Sequence, residues 1–367
     1  MRVAIVHDWL TSYRGGEKVL ESIMELYPNA PIYTLFFDAR ALPVSFHNKD
    51  IRYYKSLNYF KRIRRYLLPI LPYIAESFAL LEYDLVISTS SCVAKGVVVA
   101  PHAQHICYIH SPMRYIWDQK EHYLKGVRKF TIFNILLNLL ELKLRLWDTV
   151  SAQRVDAFIA NSSYVQQRVT KYYRRSSDII FPPVDLKDFI PSHKINKKDY
   201  FLLAGAFVPY KRFDLAIQAA NKLGKKLIVA GHGEEYANLQ KIAGPHISFV
   251  ISPSKPELVK LLQEAKALIF PALEDFGIIA IEALAAGTPL IAYQNGGALD
   301  YLKEGQNGVF FAKQDTESLI KAIAKFESML WSSTVITGSA QQYSKENFKE
   351  SILKKIVSLT GNNHAKE

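Results

Sequence analysis

The stretch EDFGIIAIEALAAGTPLIAYQNGG, Glu274–Gly297, decides how the chain folds. The run ALIFPA (267–272) precedes it, and PLIAY (289–293) lies inside its end. Between them the residues after Gly277 are apolar at almost every position. A short apolar run, a loop, an apolar helix and a second short apolar run form a βαβ unit. Strands apolar throughout are covered on both faces, which is the signature of a parallel sheet. One residue does not fit a plain core helix. Glu282 sits among Ile281, Ala283 and Leu284, with a second carboxylate, Glu274, eight positions earlier. An unpaired carboxylate there is costly, so it needs donors.

The same alternation extends in both directions. VAIVH (3–7), PIYTLFF (31–37), LVIST (85–89), HICYIH (105–110) and AFIANS (157–162) read as one series of strands. YFLLAG (200–205), KLIVAG (226–231), ISFVI (247–251), ALIFPA, PLIAY and GVFF (308–311) read as a second. Helical patterns separate them, so the expected class is α/β with two doubly wound Rossmann-like domains. The seam is IIFPPVDLKDFIPSHKINKKDY (179–200), where two adjacent prolines and a polar run interrupt the periodicity. The expected domains are 1–183 and 199–340, joined by a linker at 184–198 and followed by an amphipathic segment at 341–367.

With 367 residues, two cores are the natural expectation. The two cysteines, Cys92 and Cys107, lie in apolar surroundings and suggest neither a disulfide framework nor a zinc site, in keeping with a reducing, cytoplasmic setting. The start, MRVAIVHDW, reads as a first strand rather than a leader, and no run is long enough to cross a bilayer. Lysine and arginine outnumber acidic residues by 46 to 34, a net charge of +12, which favours anionic partners.

In open parallel sheets, ligands bind beyond the carboxyl ends of the strands. The amides of Gly277, Ile278 and Ile279 would be the first donors of a helix and, with its dipole, suit a phosphate. Glu282 lies roughly 7–9 Å further along the axis, at about 1.5 Å per residue. A diphosphate at the helix tip would bring a ribose to Glu282, with its vicinal hydroxyls as donors, and leave Glu274 facing the group beyond the diphosphate. A buried ion pair, or an exposed Glu on an otherwise buried helix, accounts for Glu282 equally well. GAFVPYKRFDLAIQAA (205–220) puts Lys211 and Arg212 after a strand, where they would set positive charge against a diphosphate.

The spacing of Glu274 and Glu282 within EDFGIIAIEALAAGTPLIA resembles the signature of the retaining glycosyltransferases of family 4, which have the two-domain GT-B fold. The likeness continues through AAGTPLIAYQNGGALDYLKEGQNGVFF and is strongest over 200–312. The resemblance implies two domains facing across a cleft, and a C-terminal helix returning to the N-terminal, acceptor-side domain. It implies that Glu274 contacts the donor sugar and Glu282 the ribose. HDWLTSYRGGEKVL (7–20) fits it too, with the loop carrying Gly15 and Gly16 over the donor phosphates. His110 in YIHSPMRYIWD takes the place of a residue near the transferred sugar, and Arg114 and Trp117 would shape the acceptor site. HSPMRYIWD is similar to mannosyltransferases of bacterial surface-polysaccharide assembly. The implied reaction moves mannose from GDP-mannose, or a sugar from a UDP donor, to a lipid-linked glycan or polysaccharide, with the nucleotide sugar as substrate and neither cofactor nor metal. Two departures stand out: Ala206 where the family has an arginine, and His232 where it has an aspartate.

YYKSLNYFKRIRRYLLPILPY (53–73) and LKGVRKFTIFNILLNLLELKLRLW (124–147) mix basic, aromatic and aliphatic residues. They read either as segments lying on an anionic membrane or as solvated faces over an ordinary core. No nucleic-acid-binding module is present. Two other classes compete. A dinucleotide oxidoreductase would need G-x-G-x-x-G after the first strand, where the chain has HDWLTSYRGGEK. A non-catalytic, membrane-associated relative would follow if Ala206 abolishes transfer.

Overall fold

The computed structural model describes residues 1–117, 131–191 and 195–361. Two compact units result, Met1–Pro183 with Phe348–Glu367, and Val184–Asn347.

The first unit is built on a seven-stranded parallel sheet in the order β3-β2-β1-β4-β5-β6-β7. Its strands are β1 (Val3–His7), β2 (Ile32–Thr34), β3 (Ile51–Arg52), β4 (Leu85–Ser90), β5 (Gln104–Ile109), β6 (Ala157–Ala160) and β7 (Asp178–Ile179). β1 and β4 run in register from Val3 opposite Leu85 to His7 opposite Thr89. Helix α1 (Gly15–Leu26) carries the chain from β1 back to β2. Its Val19, Leu20 and Ile23 share one face and pack with Ile5, Ile32 and Ile87. On the other side of the sheet, α2 (Leu71–Glu76) and α3 (Thr131–Ala152) close a cluster over Val6 and Val86. Phe348, Ile352 and Ile356 recur every four residues along the C-terminal helix (Lys345–Thr360) and are buried in the α1 cluster. The end of the chain is therefore part of the first unit's core.

The second unit has a six-stranded parallel sheet in the order β10-β9-β8-β11-β12-β13. These strands are β8 (Phe201–Ala206), β9 (Leu227–His232), β10 (Ile247–Ile251), β11 (Ala267–Phe270), β12 (Leu290–Tyr293) and β13 (Gly308–Phe311). Leu203, Val229, Ile269, Ile291 and Val309, one from each of five strands, form its core with Ala216, Ile217 and Ala220 of α4 (Phe213–Leu223).

Both sheets reverse their winding once, between β1 and β4 and between β8 and β11. Loops leaving the carboxyl ends of such a strand pair diverge to opposite faces and leave a crevice.

Three details differ from the sequence reading. The two-residue edge strands β3 and β7 carry no apolar run and were not expected. Residues 184–191 and 195–198 are not a free linker but part of the second unit, because Val184, Leu186 and Phe189 are buried and Lys198 N donates to Glu264 O at 2.7 Å; 192–194 lie outside the described residues. The return to the first unit falls at Phe348 rather than 341, since Tyr343 is held by the second unit, its ring 5.7 Å from that of Phe276.

Candidate active site

The second unit's group grows from the two strands at its switch point. β11 ends at Phe270, and helix α5 (Ile278–Ala285) begins after a loop. Gly277 caps that helix with φ +92°, and a Cβ there would come within 2.5 Å of Phe270 Cζ, so only glycine fits. Ala280 N donates to Gly277 O at 2.9 Å. The amides ahead of it, of Gly277, Ile278 and Ile279, are the donors a helix start leaves over, and the dipole favours an anion there. The loop is pinned from β12: Gly297 N donates to Glu274 O at 2.9 Å, and a Cβ on Gly296 would stand 2.4 Å from that same oxygen. The sequence reading quoted the Gly296–Gly297 pair without giving it a role. Its signal, two glycines shortly after a strand, was available.

Glu274 and Lys211 are joined as an ion pair. Lys211 arrives from the loop after β8 and Glu274 from the loop after β11, so the reversal of strand order brings them together across 63 residues of chain. Glu282, in the body of α5, is buried. Arg212 is engaged within its own unit. Its Nε and Nη2 lie 3.2 Å from the two carboxylate oxygens of Asp214, and its Nη1 is 3.5 Å from Gln314 Oε1. Ala206 and His232 are register partners at the ends of β8 and β9, so the two departures from the family pattern sit side by side.

In the first unit the glycine loop and the strand-end histidines converge. The Cβ position of Gly16 lies 3.6 Å from His110 Nε2 and 3.8 Å from His7 Cε1, with Gly15 opening α1 just before it. His110 follows β5: its N–H donates to Ser90 O at 2.8 Å, its carbonyl accepts from Asn161 Nδ2 at 3.0 Å, and its ring is 5.3 Å from that of Tyr108. Glu17 accepts the Arg14 N–H at 2.8 Å and stands 4.0 Å from His7 Nε2. Burial pushes the Glu17 carboxyl up, but the hydrogen bond and charge of His7, with the backbone donors of Glu17 and Arg14, outweigh it and hold the group below its ordinary value. Arg114 Nε is 3.4 Å from Ser111 Oγ. Trp117 donates its indole N–H to the buried Asp148 at 2.7 Å, and its ring stacks on Tyr172 at 4.5 Å.

Asp8 was missed. Directly after β1, its buried carboxylate accepts from the N–H groups of Ser91, Cys92, Val93 and Ala94 at 2.6–2.9 Å. It fixes the loop after β4, the partner strand at the switch point, and a charge closing an apolar strand was the available signal. Among the described residues, no group of three or more His, Cys, Asp or Glu side chains is placed to hold a metal ion.

Two family profiles match the chain, Glycosyltransferase Family 4 over residues 14–188 and Glycosyl transferases group 1 over 186–346. A D-inositol 3-phosphate glycosyltransferase of Mycolicibacterium paratuberculosis is 30% identical over 168 residues, 40% of this chain and 38% of that protein. The human Alpha-1,3/1,6-mannosyltransferase ALG2 is 23% identical over 324 residues, 76% of this chain and 74% of its own length. The matched part thus spans about two-fifths of the first of these relatives and about three-quarters of the second. The structure of Anabaena Alr3699/HepE in complex with UDP and glucose superposes with a TM-score of 0.70 at 16% identity, covering 98% of this chain and 100% of that one. The first part of the chain is thus similar to Glycosyltransferase Family 4 and the second to Glycosyl transferases group 1, and the two Rossmann-like domains are those of the GT-B fold.

Proposed function

We propose that the chain transfers mannose from GDP-mannose to a hydroxyl of a lipid-linked or polysaccharide acceptor, with the anomeric configuration retained. The observation that carries this reading is the Lys211–Glu274 pair on the two loops of the β8/β11 switch point, beside the amides that open α5. Lys211, held at the switch point by Glu274, would set positive charge against the diphosphate. Glu274 keeps its second oxygen for a sugar hydroxyl. The amides of Gly277, Ile278 and Ile279 would receive the diphosphate, and Glu282 the ribose. Arg212, engaged with Asp214, has the lesser part.

In the reaction the bond from the sugar's anomeric carbon to the diphosphate oxygen breaks, and its electron pair leaves with the nucleoside diphosphate. A bond from the same carbon to the acceptor oxygen forms, and the acceptor's proton passes to the leaving phosphate. Fixed donors aimed at the charge growing on that phosphate are commonly the largest catalytic term, and here they are Lys211 and the α5 amides. For the first unit we propose the acceptor side, through Gly15, Gly16, His110 and Arg114. Mannose as the sugar draws support from the name of the ALG2 relative, and a UDP donor, the second reading, from the nucleotide in the Anabaena protein.

The test is a thermal-shift comparison of GDP, UDP and ADP, with Glu282→Ala alongside. A ligand that binds only the native state at a hundredfold excess over Kd adds about 2.7 kcal/mol. GDP should raise the melting temperature most, and the rise should shrink in the variant. A shift from UDP alone moves the donor to the second reading; no shift from any nucleotide removes the proposal.

A further inference from the structure

Helix α3 is apolar on the face that should meet water. Leu144 and Asp148 point to its buried side. Leu139, Leu142, Leu146 and Val150 are each more than half exposed, at 53%, 52%, 58% and 59%. At 3.6 residues per turn these four fall within an arc of about 80°, a stripe running three turns along the helix. Scattered exposed leucines need no explanation, but a continuous row of them marks a contact surface.

A second exposed apolar segment packs on the same core. Leu57, Leu67 and Leu68 lie against one cluster together with Leu140 and Trp147 of α3. Glu76, the last residue of α2, ties the two segments, accepting from Trp147 Nε1 at 2.8 Å and Arg154 Nη2 at 2.5 Å. Outside that core, Tyr59, Tyr66 and Tyr73 are 87%, 81% and 79% exposed, with Phe60, Ile63 and Ile70 about half exposed among them.

Charge selects the partner. Residues 51–75 contain six basic residues, Arg52, Lys55, Lys61, Arg62, Arg64 and Arg65, and no acidic one. Arg52 and Lys61 pair with Asp50 and Asp38. Lys55 is exposed in this segment, as Lys143 is in the α3 stripe. The centre of a protein–protein contact is depleted of lysine. A bilayer surface accepts this mixture: leucines reach the acyl boundary, tyrosines sit at headgroup level, and lysines extend their ammonium groups to anionic lipid. No helix among the described residues is long and apolar enough to cross a membrane, so the face would lie on the surface.

We infer that this face of the first unit, the outer stripe of α3 with the exposed tyrosines of 59–73, docks on an anionic lipid bilayer. The inference rests on the proposed function only in that a lipid-linked acceptor would be met there. The test is co-sedimentation of the full chain with phosphatidylcholine vesicles, with and without phosphatidylglycerol, at low and high salt. Binding should require phosphatidylglycerol and weaken with salt. It should fall at least about tenfold in Leu142→Gln/Leu146→Gln and in Tyr66→Ser/Tyr73→Ser, both on exposed positions that leave the fold intact. Absence of binding by the parent chain, or equal binding by the variants, overturns the inference. So does a lipid-free dimer that the leucine variant splits into monomers, which would make the face a contact between copies. The GDP-induced thermal shift, measured without vesicles, should be the same in all of them. A chain that binds vesicles but no nucleotide keeps this inference and loses the donor reading; one that binds GDP but no vesicles does the reverse.

Discussion

Lys95 and Asp148 of the first unit are almost wholly buried, with Lys95 Nζ 2.9 Å from Asp148 Oδ1. Lys211 and Glu274 of the second unit are paired as well, but 11% and 16% of their side chains reach solvent. The difference lies in what surrounds each pair. Lys95 Nζ donates inside the protein to Asp148 O and Ser151 Oγ, and its charge is paired with Asp148 Oδ1. Asp148 Oδ2 accepts from Trp117 and Tyr173, and the rings of Trp147 and Tyr173 lie 4.9 Å and 5.1 Å from the ammonium. That pair is closed, and its work is to fix α3 to the loop after β4. The second stands on the two loops of a switch point and is less deeply buried, and it is the pair we propose meets the donor. An ion pair is thus read by its remaining partners and its place in the sheet, since both kinds of residue look alike in a sequence.

The largest effect should come from breaking the closed pair. Asp148→Ala leaves Lys95 charged, buried and without its counterion, a loss of about 3–5 kcal/mol. For a unit of this size that lowers the melting temperature by roughly 10 °C, read from a circular-dichroism melt. Lys95→Met with Asp148→Leu should recover part of the loss, because the uncompensated charge is gone. If Asp148→Ala melts with the parent protein, the closed pair is not holding α3 and the contrast fails.

Glu274→Gln reverses the pattern. The amide keeps the shape and a hydrogen-bond acceptor for Lys211, so stability should change by no more than about 1 kcal/mol. Sugar transfer should fall about 100- to 1,000-fold, the usual cost of losing one group aimed at the reacting centre. A variant that loses stability and keeps its rate would put Glu274 in the same class as Asp148.

Most of the strands were legible because a parallel strand is covered on both faces and reads as an unbroken apolar run. β3 and β7 were not, since two residues at a sheet edge leave no such trace. Glu282 and Gly277 could be singled out because a charge inside an apolar helix, and a glycine at its start, contradict their local setting, and Glu274 by its spacing from Glu282. Lys211 was legible as a cation after a strand, but its pairing with Glu274 depends on strand order, which the sequence does not state. The Lys95–Asp148 pair spans 53 residues and Asp8 reaches 83 to 86 positions along the chain, so only the fold reveals either arrangement. The hydrogen bond of Trp117 to Asp148, 31 residues away, was equally hidden.

A third pair, Glu17 and His7, sharpens the comparison with the smallest effect. Its side chains are nearly as buried as the closed pair, at 8% and 6% exposed, yet it borders the Gly16 and His110 group. Because the folded state holds the Glu17 carboxyl below its ordinary value of 4.5, its charged form favours folding. That contribution is complete above pH 4.5 and fades as the pH falls through the lowered folded value. Glu17→Gln removes the titration. The parent protein should therefore melt above the variant at neutral pH, by less than Asp148→Ala costs, and the two curves should converge as the solution is acidified. A constant gap between them at every pH would mean that Glu17 acts through packing and its cap on Arg14 alone, and the pair would then belong with the scaffold.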